Sequence, residues 1–261
     1  MSQDWDSYFS SVNHQTASVR VDLGLRASVP DRERVWLLEV RVHFLQPDEK
    51  GLPGKKDLEK LSSIEEALQA ALEKKCRAAF AGCITSAGRR DFYFYAASTG
   101  GFEEAAKQAL ARFHGYKFEC SKQEDPGWAK YLTTLHPSEE QRELIENKRQ
   151  MDMLREKGDS LAQARDVSHW ARFKNENDLD IYRESVLSRG YHVESESEHP
   201  DDEFRHWICV ARRQVMTPDA VNNAVLQVFR ASKAACGQYD GWECQPIIDV
   251  KPEVKKPWWK F

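Results

Sequence analysis

Long apolar runs are missing from this sequence. None approaches the roughly 20 residues that a membrane-spanning helix needs. The first residues, MSQDWDSYFSSV, lack a basic segment followed by an apolar core, so no secretory signal and a cytoplasmic location are expected. Cysteine is sparse and unpatterned. Cys76, Cys83, Cys120, Cys209, Cys236 and Cys244 form no Cys-x-x-Cys, and mostly apolar neighbours suggest buried thiols in a reducing compartment. The spacings of the common catalytic classes are also missing. There is no Gly-x-Ser-x-Gly, no His-Glu-x-x-His, no Walker loop and no Gly-x-Gly-x-x-Gly. No enzymatic activity and no cofactor are expected.

What is present fits a charged globular chain. The 261 residues are 41% hydrophobic and 31% charged, and the length suits two domains better than one core. The net charge of −4 is unevenly spread. Residues 166–249 hold nine basic and fifteen acidic side chains, whereas the tail 250–261 holds four basic and one acidic. An acidic C-terminal domain repels phosphate backbones and suits a basic protein partner, so direct nucleic-acid binding is not expected.

The order of elements predicts an α+β protein: two ferredoxin-like, split βαβ sandwich domains joined by a charged helix. ASVRVDLGLRA alternates with Val19, Val21, Leu23 and Leu25 on one strand face. VWLLEVRVHFL is a more buried strand, and GLPGKKD a loop. A helix then starts from a capping box, Ser62 with Glu65 or Ser63 with Glu66. CRAAFAGCI and RRDFYFYAA form a hairpin, GGFEEAAKQALARFHG a second helix, YKFEC a strand and WAKYLTTLHP a closing helical turn. This places the first domain at 1–137. Residues 138–165 are predicted as a connector whose mixed-sign helix is washed by solvent. In 166–249 the order β-α-β-β-α-β is that of a split βαβ sandwich, with Thr217 and Pro218 opening its second helix. The tail KPEVKKPWWKF is expected to dock Trp258 and Trp259 on the body.

Three stretches are candidates for chemistry. GRRDFYFYA resembles a base-stacking strand through Phe92, Tyr93, Phe94 and Tyr95, but it has no glycine between the aromatics to let bases approach. An RNA-binding module on this strand is the alternative function; packing of both its faces is the simpler expectation. YHVESESEHPDDEFRH is the strongest charge feature. Period-2 alternation puts Glu194, Glu196 and Glu198 on one strand face, with Asp201, Asp202 and Glu203 at the adjoining turn. Six carboxylates can steer and pair a basic segment, and they are the expected partner-binding residues. His192, His199 and His206 recur every seven residues, which matches no compact metal set, and no metal site is expected. GQYDGWECQP puts an Asp-Gly pair between two aromatics. Tyr239, Asp240, Gly241, Trp242 and Glu243 are expected to form a structural bend, since a lone carboxylate there does not define a catalytic site.

The second half resembles the family of the regulator of ribonuclease E activity B (RraB). The residues that carry the resemblance run in order: LREKGDSLAQARDVSHWARF, RGYHV, WICVARRQVMTPDAVNNAV and CGQYDGWE. The family ending is Gly-Gly-x-Tyr-Asp-Gly-Trp-Glu, and Cys236 stands in place of its first glycine. The first half resembles bacterial domain of unknown function 695 through GLPGKKDLEKLSSIEEAL, GRRDFYFYA and DPGWAKYLTTLHP. Such domains occur fused ahead of RraB-like ones. The resemblance implies a ribonuclease inhibitor without catalysis of its own, which modulates RNA turnover by binding a basic scaffold segment of a ribonuclease. It implies no activity for the first half.

Overall fold

The computed structural model describes residues 4–12, 15–49 and 51–248, with backbone alone at 11, 12, 15 and 16. The tail 250–261, with Trp258 and Trp259, lies outside them. The chain divides into two compact units, Met1–Ser138 and Glu139–Phe261. Each is an α+β unit built on one antiparallel sheet.

The first unit has strands β1 (Trp5–Val12), β2 (Gln15–Asp22), β3 (Trp36–His43), β4 (Ala79–Ser86), β5 (Arg89–Ala96) and β6 (Phe118–Glu124). Their order across the sheet is β1-β2-β4-β5-β3-β6. Helix α1 (Lys55–Cys76) links β3 to β4, and α2 (Phe102–Leu110) links β5 to β6. Each helix therefore joins two strands that flank a third. One face of the sheet, with Leu38, Val40, Val42, Phe92 and Phe94, packs under Leu61, Ile64, Leu68 and Leu72 of α1 and Phe102, Ala106 and Leu110 of α2. On the other face Tyr95 stacks on Trp128 at 3.7 Å between centroids. The π-helical turn Tyr131–Leu135 follows, with Tyr131 and Leu135 fully buried.

Two local expectations differ from the structure here. Leu23 and Leu25 are not on a strand: β2 ends at Asp22, whose carboxylate caps a 3₁₀ helix at Leu23–Ala27 by accepting from Gly24 N. Helix α1 starts at Lys55, so Ser62 and Ser63 lie inside it. The early start has a tertiary cause. The buried Asp57 in the first turn accepts from the backbone N–H groups of Leu45 and Gln46 and from the Tyr116 hydroxyl. From Asp57 a continuous buried stripe runs through Leu61, Ile64, Leu68 and Leu72.

The second unit contains α3 (Glu139–Glu156), β7 (Arg165–Phe173), α4 (Glu176–Leu187), β8 (His192–Glu198), β9 (His206–Gln214), α5 (Pro218–Ala234) and β10 (Gln238–Glu243). The sheet order is β10-β7-β9-β8, again with each of α4 and α5 joining strands that flank a third. Asn175 caps α4 and Thr217 caps α5, each through its side chain. Phe173, Ile208 and Val210 of the sheet meet Leu179, Tyr182 and Val186 of α4 and Val228 of α5.

Helix α3 differs from the solvent-washed connector expected of its charge. Its Met151 and Leu154 share a core with Val167, Val221, Val225 and Trp242. The buried Asn147 accepts from the Trp242 indole N–H at 2.7 Å and donates to Asn222 at 3.0 Å. Gln150 donates to the Trp242 carbonyl at 2.6 Å. Residues so few that they form only a narrow stripe still bury one face, and the charged residues cover the rest. After α3, Asp159 and Arg165 form a buried ion pair (Arg165 Nη2 to Asp159 Oδ1, 2.9 Å). That hydrogen bond, with the N–H groups of Leu161 and Ile247, holds the Asp159 carboxyl well below the usual carboxylate range.

Candidate partner-binding surface

Strand β8 is an edge strand, and every residue in it but Val193 is exposed. Its pairing with β9 runs Val193 to Val210, then Ser195 to Cys209, so Glu194 is the extra residue of a β-bulge. The bulge corrects the expectation that three glutamates share a face. Glu196 and Glu198 pair with Ile208 and His206, on the helix-covered face. There Glu196 receives two hydrogen bonds from Arg183 of α4, at 2.7 and 2.8 Å. Glu194 lies on the opposite face and accepts from the Cys209 thiol at 3.2 Å. Burial and this carboxylate push the Cys209 thiol up to about 12.

The open face of the sheet is set by alternation along β7 and β9. Val167, His169, Ala171 and Phe173 are buried beneath the helices, so Ser168, Trp170 and Arg172 point the other way. Trp170 and Arg172 pair with Cys209 and Trp207 of β9. Arg172 is the junction. Its Nε is 3.1 Å from Asp240, its Nη1 is 3.7 Å from Asp202, and its guanidinium lies 5.4 Å from the Trp207 ring centroid. One cation thus joins the β10 motif to the β8–β9 turn. Partial burial raises the Asp240 pKa, which Arg172 lowers and Asp202 raises in turn. The Trp170 indole N–H donates to Glu243 at 3.2 Å.

At the turn, Glu198, His199, Pro200, Asp201, Asp202, Glu203 and Trp207 line a concavity of about 580 Å³. His199 packs on Trp207 at 4.9 Å between centroids. Asp202 fixes the turn by accepting from Phe204 N at 2.9 Å. Glu203 is paired with Lys174, whereas Glu198 and Asp201 have no ion-pair partner among the described residues. Three of the six carboxylates expected to bind a partner, Asp201, Asp202 and Glu203, therefore gather at the turn in one acidic cup with an aromatic wall, and Glu198 joins its rim from the end of β8. Glu194 and Glu196 do not. Trp170, Arg172, His199 and Trp207 had no place among the expected site residues, although strict alternation in RDVSHWARF carries the signal for the first two.

The five motif residues divide between the two faces. Pairing with β7 skips Asp240, which makes it a bulge, and Gly241 adopts φ +109°. Tyr239 and Trp242 are thereby aimed into the helix-covered core, while Glu243 lies on the open face. The Tyr239 hydroxyl is 2.9 Å from His169 Nδ1. Burial drives the His169 pKa down to about 3, so the imidazole is neutral, and raises the Tyr239 pKa well above its ordinary value.

The aromatic strand of the first unit does not offer a stacking surface. Phe92 and Phe94 are in the core under the helices, Tyr95 is stacked on Trp128, and all of 92–95 are at most 3% exposed. Among the described residues, no group of three His, Cys, Asp or Glu is placed to hold a metal ion, and no helix is long and apolar enough to cross a membrane.

The chain belongs to a family of unknown function, DUF695, whose model matches residues 3–136. Residues 144–244 match the family model described as regulator of ribonuclease activity B. That second match starts inside α3 and ends just past β10. No curated protein matches the chain. Among solved structures, an unknown protein from Galdieria sulphuraria is 12% identical, with 78% of this chain and 95% of that one covered and a TM-score of 0.21. One described as a "putative glycine cleavage system transcriptional repressor" is 10% identical, with 80% and 98% covered and a TM-score of 0.22.

Proposed function

We propose that the chain is a cytoplasmic, non-catalytic regulator that modulates a ribonuclease by protein–protein contact through its second unit. The match of residues 144–244 to the regulator of ribonuclease activity B carries this reading. The strand orders support a ferredoxin-like assignment for the second unit, and for the first with the β1–β2 hairpin added at its edge. The partner segment is basic. Glu198, Asp201, Asp202 and Glu203 surround the cup, and Trp207 with His199 supplies a flat wall on which a guanidinium can lie. Arg172 keeps the cup in register with Asp240 of the motif. Edge charges also keep β8 from pairing with a second sheet.

The test measures cleavage of a structured RNA by a full-length ribonuclease E-type enzyme with and without the full chain, alongside direct binding. Slower cleavage and co-purification are expected. Glu198→Lys with Asp201→Lys should weaken binding by roughly tenfold, mainly through a slower on-rate. Unchanged affinity in that variant rejects the cup as the contact, and unchanged cleavage rejects the regulatory reading.

A further inference from the structure

The first unit has a cavity of about 630 Å³ that no part of the regulatory reading uses. Three segments build it. Lys56, Glu59, Lys60 and Ser63 come from one face of α1, at the i, i+3, i+4, i+7 spacing that puts side chains in a row. Arg112, Phe113, His114 and Tyr116 come from the turn between α2 and β6, and Leu45 from the end of β3.

Its charge is unlike that of the acidic cup. Lys56, Lys60 and Arg112 are exposed, and none has an ion-pair partner among the described residues. Glu59 is the one carboxylate of the lining. The nearby Asp57 is buried beneath, with its oxygens occupied by two backbone N–H groups and the Tyr116 hydroxyl. That last bond, 2.7 Å long, fixes the Tyr116 ring, and Phe113 and Tyr116 are both packed against the main core of the unit. The Arg112 guanidinium sits 4.9 Å from the Phe113 ring centroid. Leu45 is half exposed and adds an aliphatic group to the lining beside the two aromatic rings.

Two cations on α1, a third beside Phe113 on the facing turn, fixed aromatic and aliphatic groups, and a volume within the roughly 300–1,000 Å³ of small-molecule sites select an anion that carries a flat apolar group. We infer that this cavity binds a nucleoside phosphate, with the phosphate on Lys56, Lys60 and Arg112 and the base against Phe113, Tyr116 and Leu45. Glu59 and Ser63 supply acceptors for ribose hydroxyls. A simple phosphate would leave the aromatic wall unused, and an extended nucleic-acid backbone would meet Glu59. The same chemistry occurs in a free nucleotide and at the phosphorylated end of an RNA strand.

Isothermal titration of the full chain tests this with AMP, ATP, pyrophosphate and a short oligoadenylate with or without a 5′-phosphate. Binding of AMP or ATP, tighter than pyrophosphate, is expected. If the 5′-phosphorylated strand binds more tightly than the free nucleotides, the source is an RNA end; the reverse order assigns a free nucleotide. Lys60→Glu with Arg112→Glu should weaken binding roughly tenfold or more. Lys74→Glu with Lys107→Glu makes the same change of net charge outside the cavity and should leave binding intact. No measurable binding of any nucleotide overturns the inference. So does equal loss in the two variants, which would indicate diffuse electrostatic attraction, and so does pyrophosphate binding as tightly as ATP.

Discussion

Replacing Trp242 by Phe tests whether α3 is a structural part of the second unit. Trp242 is 6% exposed and its indole N–H is bonded to the buried Asn147 at 2.7 Å. Phe retains an aromatic ring but deletes the donor, so Asn147 Oδ1 is left buried and unpaired. An orphaned buried acceptor costs about 1–3 kcal/mol, and the smaller ring adds to this by leaving space. The reciprocal change, Asn147→Leu, orphans the indole N–H and removes the bond to Asn222. In the double variant neither half of the Trp–Asn pair remains to be orphaned. The sum of the single losses should therefore exceed the loss in the double variant by about 1–3 kcal/mol. Urea titration of the full chain, followed by far-ultraviolet circular dichroism, measures the four stabilities. In thermal melts each kcal/mol should appear as about 2–8 °C. Additive losses, agreeing within about 0.5 kcal/mol, would refute the coupling. A Trp242→Phe protein as stable as the parent would return α3 to the role of an exposed connector.

Acid should destabilise the second unit through His169. Its folded pKa of about 3 lies below the unfolded value near 6.5, so the folded state binds fewer protons, and stability is full above about pH 6.5 and declines as pH falls towards 3. The slope approaches about 1.4 kcal/mol per pH unit, with a ceiling of about 5 kcal/mol; a His169→Gln chain should show a shallower decline between pH 6 and 4 in urea titrations. Thiol chemistry should separate the cysteines. Cys236 is exposed, and Cys120 and Cys244 are half-buried, unlike the buried thiols expected, whereas burial pushes Cys83 up to about 11 and Cys209 up to about 12. Iodoacetamide on the native protein, read by peptide mass spectrometry, should label Cys236 first and Cys83 and Cys209 only after unfolding; early labelling of Cys83 would contradict its complete burial.

Much of the framework was legible because periodicity reports burial directly. The hairpin of β4 and β5, the capped α5 and the alternation of β7 all follow from local pattern. The misjudged elements had causes outside their own residues. Helix α1 begins seven residues before its Ser62 signal because Leu45 and Gln46, across the preceding loop, and Tyr116, 59 residues later, bind Asp57. Helix α3 reads as solvent-exposed because its buried face is narrow and half polar, and Asn147 is accounted for only by Asn222 and Trp242, 75 and 95 residues later. In the acidic hairpin, period-2 counting failed at Glu194 because a bulge inserts one residue and reverses the face of everything before it.

Sequence by itself determined the two-part composition, the α+β class and the element order of the second half, because these depend on composition and short-range spacing; strand β1 (Trp5–Val12) was not expected. It also marked the acidic turn as the site of densest negative charge. Only the tertiary structure decided which carboxylates lie together. Arg183 takes Glu196, Cys209 takes Glu194, and Lys174 takes Glu203, while Asp201 lines the cup with Trp207 and His199 and Glu198 stands at its rim. It also decided that Asp240 of β10 and Asp202 of the turn converge on Arg172 of β7. The reason is physical: a charge in sequence has no partner until the sheet order brings β10, β7 and β9 side by side, and that order is fixed by long-range pairing that no local pattern encodes.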